Sequence, residues 1–267
     1  MAHLRQTGLE GKIALVVAAS KGLGRAVAES LARDGARVAI TARGAAGLQS
    51  AAESMREHFG ADVLPIVSDV TRADDVRRSV ESTVERFGGL DILVTNAGGP
   101  RSATFDALTE DDWRAAVDLT LMSVIRFTMA AVPHLRRRGG GRIIHITSIA
   151  AKQPVSGLML SNSLRAAVVG FSKTLSNELA GDRILVNCVA PGYTRTERVT
   201  DLAAATARRE GVEPSDIERR FVSQVPLRRL GEPREFGDVV AFLASDRASY
   251  ITGATIQVDG GYIQGIV

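Results

Sequence analysis

The stretch Lys12-Ile13-Ala14-Leu15-Val16-Val17-Ala18-Ala19-Ser20-Lys21-Gly22-Leu23-Gly24 decides the fold. Lys12 to Ala18 is an apolar run of strand length, which suits a strand covered on both faces. It breaks into a turn with glycines at 22 and 24. A helix is then expected from about Leu23 to Asp34, capped by Gly35. Glycines at such a turn let the backbone come close to a pyrophosphate, while the helix N-terminus aims free N–H groups at it. The same residues also suit a tight turn that only packs helix against strand.

The alternation continues outward from this stretch. Further strands are expected at Arg37–Ala42, Val63–Val67, Ile92–Thr95, Gly141–Thr147, Ile184–Val189 and Thr255–Val258. Helices are expected at about Ala45–Phe59, Asp74–Phe87, Glu110–Leu135, Leu160–Ala180 and Arg234–Ser245, with a variable helical segment over roughly 197–222. Apolar strands separated by helices imply an α/β chain with one doubly wound parallel sheet of about seven strands, of Rossmann type, helices lying on both faces. No linker, repeat or low-complexity tract divides residues 1–267, so a single dinucleotide-binding domain is expected. Ligands of such sheets bind beyond the carboxyl ends of the strands.

Composition narrows the class. Hydrophobic residues make up 45% and charged residues 24% of the 267, which is ordinary for a globular chain. The lone cysteine, Cys188, forms no internal disulfide and fits a small buried hydrophobe beside a strand. All but four of the 33 basic residues are arginines, yet the net charge is only +3. Arg136-Arg137-Arg138 closes a helix, where cations complement the dipole, and no aromatic residues interleave with it. No nucleic-acid partner is expected. Met1 to Glu10 holds no signal-peptide run, and no stretch reaches the ~18 apolar residues of a membrane span. A cytoplasmic chain without membrane contact is the expectation, and no His/Cys/Asp/Glu cluster has metal-ligand spacing.

Several segments together resemble the short-chain dehydrogenase/reductase family. Ser20-Lys21-Gly22-Leu23-Gly24 resembles its glycine motif, and Asn96-Ala97-Gly98 its sheet-stabilising motif. Ser148 ends the fifth strand, and 186–192, closing on Pro191-Gly192, is similar to the Pro-Gly segment. The tail, 226–233 and 250–261, looks like the end of 3-oxoacyl-acyl-carrier-protein reductases. The resemblance covers nearly the whole chain, in order and spacing.

It implies a nicotinamide cofactor held by Ser20, Lys21, Gly22, Leu23 and Gly24, with Asp69 and Val70 at the adenine. Asn96, Ala97 and Gly98 would line the cofactor cleft, and Pro191, Gly192, Thr194 and Thr196 the nicotinamide end. NAD-preferring members place an acid at the end of the second strand. Here Ala42 is followed by Arg43, and Lys21 sits in the turn, so NADP(H) is expected over NAD(H). Ala18 replaces the family's first glycine and Val17 the threonine before it.

The family's proton chemistry uses a tyrosine with a lysine four residues later, a serine and an asparagine. Gly170 and Lys173-Thr174-Leu175 set the register, placing Ser161 at the tyrosine position and Arg165 at the lysine position. Trp113 sets the asparagine position at Thr120, so only Ser148 is retained. No tyrosine lies between Trp113 and Gly192, and no tyrosine in the chain has a lysine four residues later. Arginine stays protonated below pH ~12, so Arg165 is expected to bind ribose and stabilise an oxyanion, not to relay a proton. Tyr193 is either a substitute acid or an aromatic lid, and His145 either a core residue or a catalyst. Ser161 and Arg165 are either working groups with altered chemistry or relics.

Three functions remain open from the residues. The first is an NADP(H)-dependent oxidoreductase acting on a small carbonyl or acyl substrate. The second is a nucleotide-binding protein without turnover, and the third a non-redox enzyme using the same cleft. By the resemblance, assembly as a homo-oligomer, tetramer or dimer, is expected through the helices at 110–135 and 160–180.

Overall fold

Seven strands form one all-parallel sheet in the computed structural model, which describes residues 7–266. They are β1 (Ile13–Val16), β2 (Arg37–Ala42), β3 (Val63–Val67), β4 (Ile92–Thr95), β5 (Gly141–Ile146), β6 (Ile184–Pro191) and β7 (Thr255–Val258). The spatial order β3-β2-β1-β4-β5-β6-β7 reverses direction between β1 and β4. That is the topological switch point, where such sheets open a ligand crevice.

The strands are apolar because both faces are covered. Ala14 and Val16 of β1 join one core cluster with Val38, Ile40, Phe236 and Val240. Ile13 and Leu15 join the other with Leu93, Phe127, Leu135 and Val186. A period of two along one strand therefore feeds two separate cores, as a central strand requires.

The first core lies under α1 (Gly22–Arg33), α2 (Ala45–Phe59) and a C-terminal helix at Pro233–Ala244. The second lies under α3 (Ala73–Phe87) and the rod Glu110–Arg137. Gly60 and Gly88, both at positive φ (64° and 84°), end α2 and α3 in left-handed caps.

The expected helix over 110–135 exists, but it is not uniform. It comprises α4 (Glu110–Val117), a five-residue π turn at Asp118–Met122, and α5 (Ser123–Arg137). Thr109 starts it with a reciprocal cap on Asp112. This rod reaches the length and mean hydropathy of a membrane span, against the expectation that no stretch does. Its buried residues Phe127, Ala131, Val132 and Leu135 pack into the sheet instead. The N-terminal expectation falls largely on residues 1–6, which lie outside the described residues.

The next elements are α6 (Met159–Glu178), α7 (Glu197–Glu210), α8 (Pro214–Gln224) and α9 (Pro233–Ala244). The variable segment is thus two helices, split where Gly211 takes φ 69° and Pro214 begins the next. The tail is sewn to the sheet by Asn187, whose side chain donates to Ile251 O (2.8 Å) and accepts from Ala254 N (3.0 Å).

Candidate active site

The glycine turn sits at the end of β1, beside the switch point. Ala19 N donates to Thr41 O at 2.8 Å, tying the turn to β2. Ala18 adopts φ 52°, the left-handed region, which costs a residue with a Cβ roughly 1 kcal/mol. Asn96 Nδ2 donates to Ala18 O at 3.2 Å, fixing the turn from the β4 side. A Cβ on Gly24 would overlap Ala18 O, so glycine is required where α1 crosses the turn. No side chain caps α1, and the N-cap Lys21 is extended. Its first-turn N–H groups are therefore available to an anion.

At the adenosine end, Asp69 follows β3. Its Oδ1 accepts from Thr71 N (2.9 Å) and Thr71 Oγ1 (2.7 Å). These bonds, the backbone one first, hold the carboxyl below the usual aspartate range, with Arg43 a weaker contributor. Val70, next to it, is buried. Arg43 has no ion-pair partner among the described residues. Lys21 pairs with Glu197 at the start of α7, both groups well exposed.

At the reacting end, three elements converge on the carboxyl edge of β5. Ser148 follows β5, and its Oγ accepts from Ala150 N at 3.1 Å, capping a short turn. Ser161 and Arg165 share one face of α6 and are both buried. Thr120 lies in the π turn, fully buried, with its Oγ1 unpartnered. The α6 helix packs on both the π turn and the turn after Ser148.

Arg165 Nη1 donates to Ile146 O at 2.9 Å, while its Nε has no partner. Burial, then the charge of Arg198, pull its pKa down to about 10. The group remains a cation at neutral pH.

Tyr193 packs among aromatic rings just after β6. Its ring stacks on Phe221 (4.3 Å between centroids) and meets Tyr262 edge-on (5.3 Å). Burial, and then Tyr262, push its hydroxyl above the usual tyrosine range. Thr194 forms a bridge with Gly231, and Thr196 Oγ1 donates to Thr194 O at 3.3 Å, shaping the strap after Pro191-Gly192. A Cβ on Gly192 would lie 2.6 Å from Asp259 Cα, which explains the glycine. His145 is a core residue as the alternative had it: Nδ1 shares a hydrogen bond with Thr95 Oγ1 (2.7 Å), and burial lowers its pKa to about 3. Cys188 is likewise buried, its thiol pushed up to about 11, chiefly by burial.

One participant was not legible beforehand. Arg198, in the first turn of α7, reaches back to the loop after β4, near Pro100 O and Ser102 Oγ (3.4 Å each). Its guanidinium lies on Gly99, where a Cβ would overlap it. The sequence signal was a cation in a first helical turn, opposed by the helix dipole.

The family model described as enoyl-(acyl carrier protein) reductase matches residues 17–263. The chain is 37% identical over 258 residues to dehydrogenase/reductase SDR family member 4 of Oryctolagus cuniculus, spanning 96% of this chain and 95% of the relative. The chain belongs to the short-chain dehydrogenase/reductase family. It is 35% identical over 254 residues to the 3-oxoacyl-acyl-carrier-protein reductase FabG of Vibrio cholerae, covering 95% and 98%. Its structure resembles L-sorbose reductase from Gluconobacter frateurii, solved with NADPH and L-sorbose, with TM-score 0.91, 36% identity and coverage of 96% and 98%. The chain is accordingly an oxidoreductase of this family.

Proposed function

We propose that the chain is an NADP(H)-dependent reductase moving a hydride between nicotinamide and the carbonyl or alcohol carbon of a small molecule, 3-oxoacyl reductase-like in type. The observation that carries this is Arg165, a buried cation anchored on β5 two residues before Ser148. A bare buried charge is costly, and one kept beside a polar serine suits a site where negative charge develops.

The nucleotide cleft fits a dinucleotide on this chain's own features. The uncapped α1 start and the Ser20–Gly24 cradle suit the pyrophosphate, with Leu23 in its first turn. Asn96, Ala97 and Gly98 border the crevice at the β4 edge, and Asp69 with Val70 the adenine end. Arg43, unpaired, suits a 2′-phosphate, and Lys21 joins it when Glu197 lets go. The NADPH in the sorbose reductase complex supports the same preference. NADPH, when bound, supplies the hydride.

The protein's own groups do the polar work. Ser148 Oγ donates to the substrate oxygen. Arg165 hydrogen-bonds the ribose and the developing oxyanion, a contribution worth roughly 3 kcal/mol in a dry site. Ser161 and Thr120 present hydroxyls, and solvent delivers the final proton through them. Lacking a tyrosine acid costs about 10²–10⁴ in rate, while holding donor and acceptor together is worth ~7 kcal/mol or more. Slow reduction is the balance. Pro191, Gly192, Tyr193, Thr194 and Thr196 wall the nicotinamide end. Residues 1–267 act as one domain, in a cytoplasmic homo-oligomer (dimer or tetramer) paired through α5 and α6.

The left-handed Ala18 favours a second reading, nucleotide binding without turnover. Steady-state NADPH oxidation over ketones, quinones and acyl thioesters separates the two. Turnover that drops at least tenfold in Ser148→Ala, with NADPH affinity unchanged, supports the reductase. Binding without oxidation of any substrate supports the alternative.

A further inference from the structure

Most arginines in this chain sit beside a carboxylate; two in the cleft do not. Arg165 has its Nε buried without a partner, and its single hydrogen bond goes to a backbone carbonyl. Among the described residues, Arg198 has only long hydrogen bonds, to Pro100 O and Ser102 Oγ. The two guanidinium groups repel one another, and among the described residues the only carboxylate acting on either is Asp201, which acts on Arg198. Glu197, the other acid at this end of α7, is engaged by Lys21.

Arg165 is a buried charge without a carboxylate among the described residues, which is a costly arrangement. Arg198 stands in the first turn of α7, where the helix dipole opposes a cation. Arg198 is exposed at the rim of the cleft, and partial burial of its guanidinium lowers its pKa, as full burial does for Arg165. Gly99 supplies the flat backbone on which the guanidinium rests, since any side chain there would displace it. The loop it touches is continuous with Ala103, which bridges to Leu158 just before α6. Arg198 is thus joined to the wall of the reacting end rather than to the glycine turn.

We infer that Arg198 is a specificity-determining residue that pairs with a carboxylate on the substrate, so that the natural substrate is a small oxo acid or hydroxy acid. This rests on the reductase reading and deepens it. A planar guanidinium matches a carboxylate in two parallel hydrogen bonds, and the pairing neutralises a site that otherwise holds two like charges. The anion belongs close to the reacting carbon, because Arg198 is felt at Arg165, which is anchored on Ile146, two residues before Ser148. A phosphate at the far end of a carrier arm is many bonds from its ketone and does not reach both.

The test uses malonate as a carboxylate probe and malonamide as its uncharged match, titrated onto the NADPH complex by calorimetry. Malonate is expected to bind wild type and to lose at least tenfold in affinity in Arg198→Met, with partial recovery in Arg198→Lys. Malonamide is expected not to bind, and NADPH affinity to stay within about twofold in both variants. Equal malonate affinity in wild type and Arg198→Met overturns the inference, as does no malonate binding to wild type. A matching loss of NADPH affinity also overturns it, by assigning Arg198 to the cofactor phosphates. If NADPH itself does not bind, the reductase reading fails on its own. Malonate titrated onto the nucleotide-free protein and its Arg198→Met variant then still decides the inference, by the same tenfold difference.

Discussion

Arg165 on α6 donates from Nη1 to the carbonyl of Ile146, the last residue of β5, at 2.9 Å. That bond fixes a guanidinium two residues from Ser148 and leaves its Nε unsatisfied. Arg165→Met removes the charge while keeping most of the stem. The expected result is a fall in kcat of about 10²–10³, the usual effect of losing an oxyanion donor. Arg165→Lys should retain more of the rate. Steady-state NADPH oxidation measures both, and an unchanged kcat in the methionine variant would make Arg165 a structural residue.

Arg43 stands free of any ion pair among the described residues, directly after β2. Arg43→Asp installs the acid that the NAD-preferring pattern places near this point. Fluorescence titration should show NADPH affinity falling by more than tenfold while NADH affinity falls little or rises. An equal loss for both nucleotides would remove Arg43 from the 2′-phosphate.

Ala18 holds φ 52° in the turn where the family resemblance places glycine. Ala18→Gly relieves that strain and opens the approach to the pyrophosphate. Stability should rise by up to about 1 kcal/mol, net of glycine's greater unfolded-state entropy. NADPH should bind more tightly. Urea unfolding and the same titration report on the two effects separately, and a loss of stability would show that the turn is unstrained.

His145 is fully buried, its pKa lowered by burial from 6.5 to about 3. Between those values the unfolded chain binds a proton that the folded chain refuses, so stability is complete above about 6.5 and declines as pH falls toward 3. Each pH unit in that window costs up to about 1.4 kcal/mol. His145→Asn should flatten the dependence of the urea midpoint on pH there. A slope identical to wild type would assign acid sensitivity to other groups.

The sheet was readable because its strands are buried on both faces: β2, β3, β4 and β7 lie where the apolar runs placed them. Turn chemistry was readable for the same local reason, as with Gly35 at positive φ. The π turn at Asp118–Met122 was not, because no glycine or proline marks it. Within the site, the glycine turn and Ser148 announced themselves by position on the strands. Lys21 pairing with Glu197 and Arg198 lying on Gly99 depend on how α7 folds back across the crevice. Contacts between segments about a hundred residues or more apart leave no periodic trace. The packing of Tyr193 on Phe221 and Tyr262 likewise leaves no local trace.

The central claim is hydride delivery from NADPH to a substrate carbon in a cleft without the tyrosine acid. NADPH deuterated at C4, incubated with the protein and a panel of small oxo acids and ketones, tests it most directly by mass spectrometry of the products. The account predicts an alcohol carrying the deuterium at its carbinol carbon, formed slowly and at least tenfold more slowly by Ser148→Ala. A reduced product without deuterium, or NADPH bound and returned unconsumed across the panel, would contradict it.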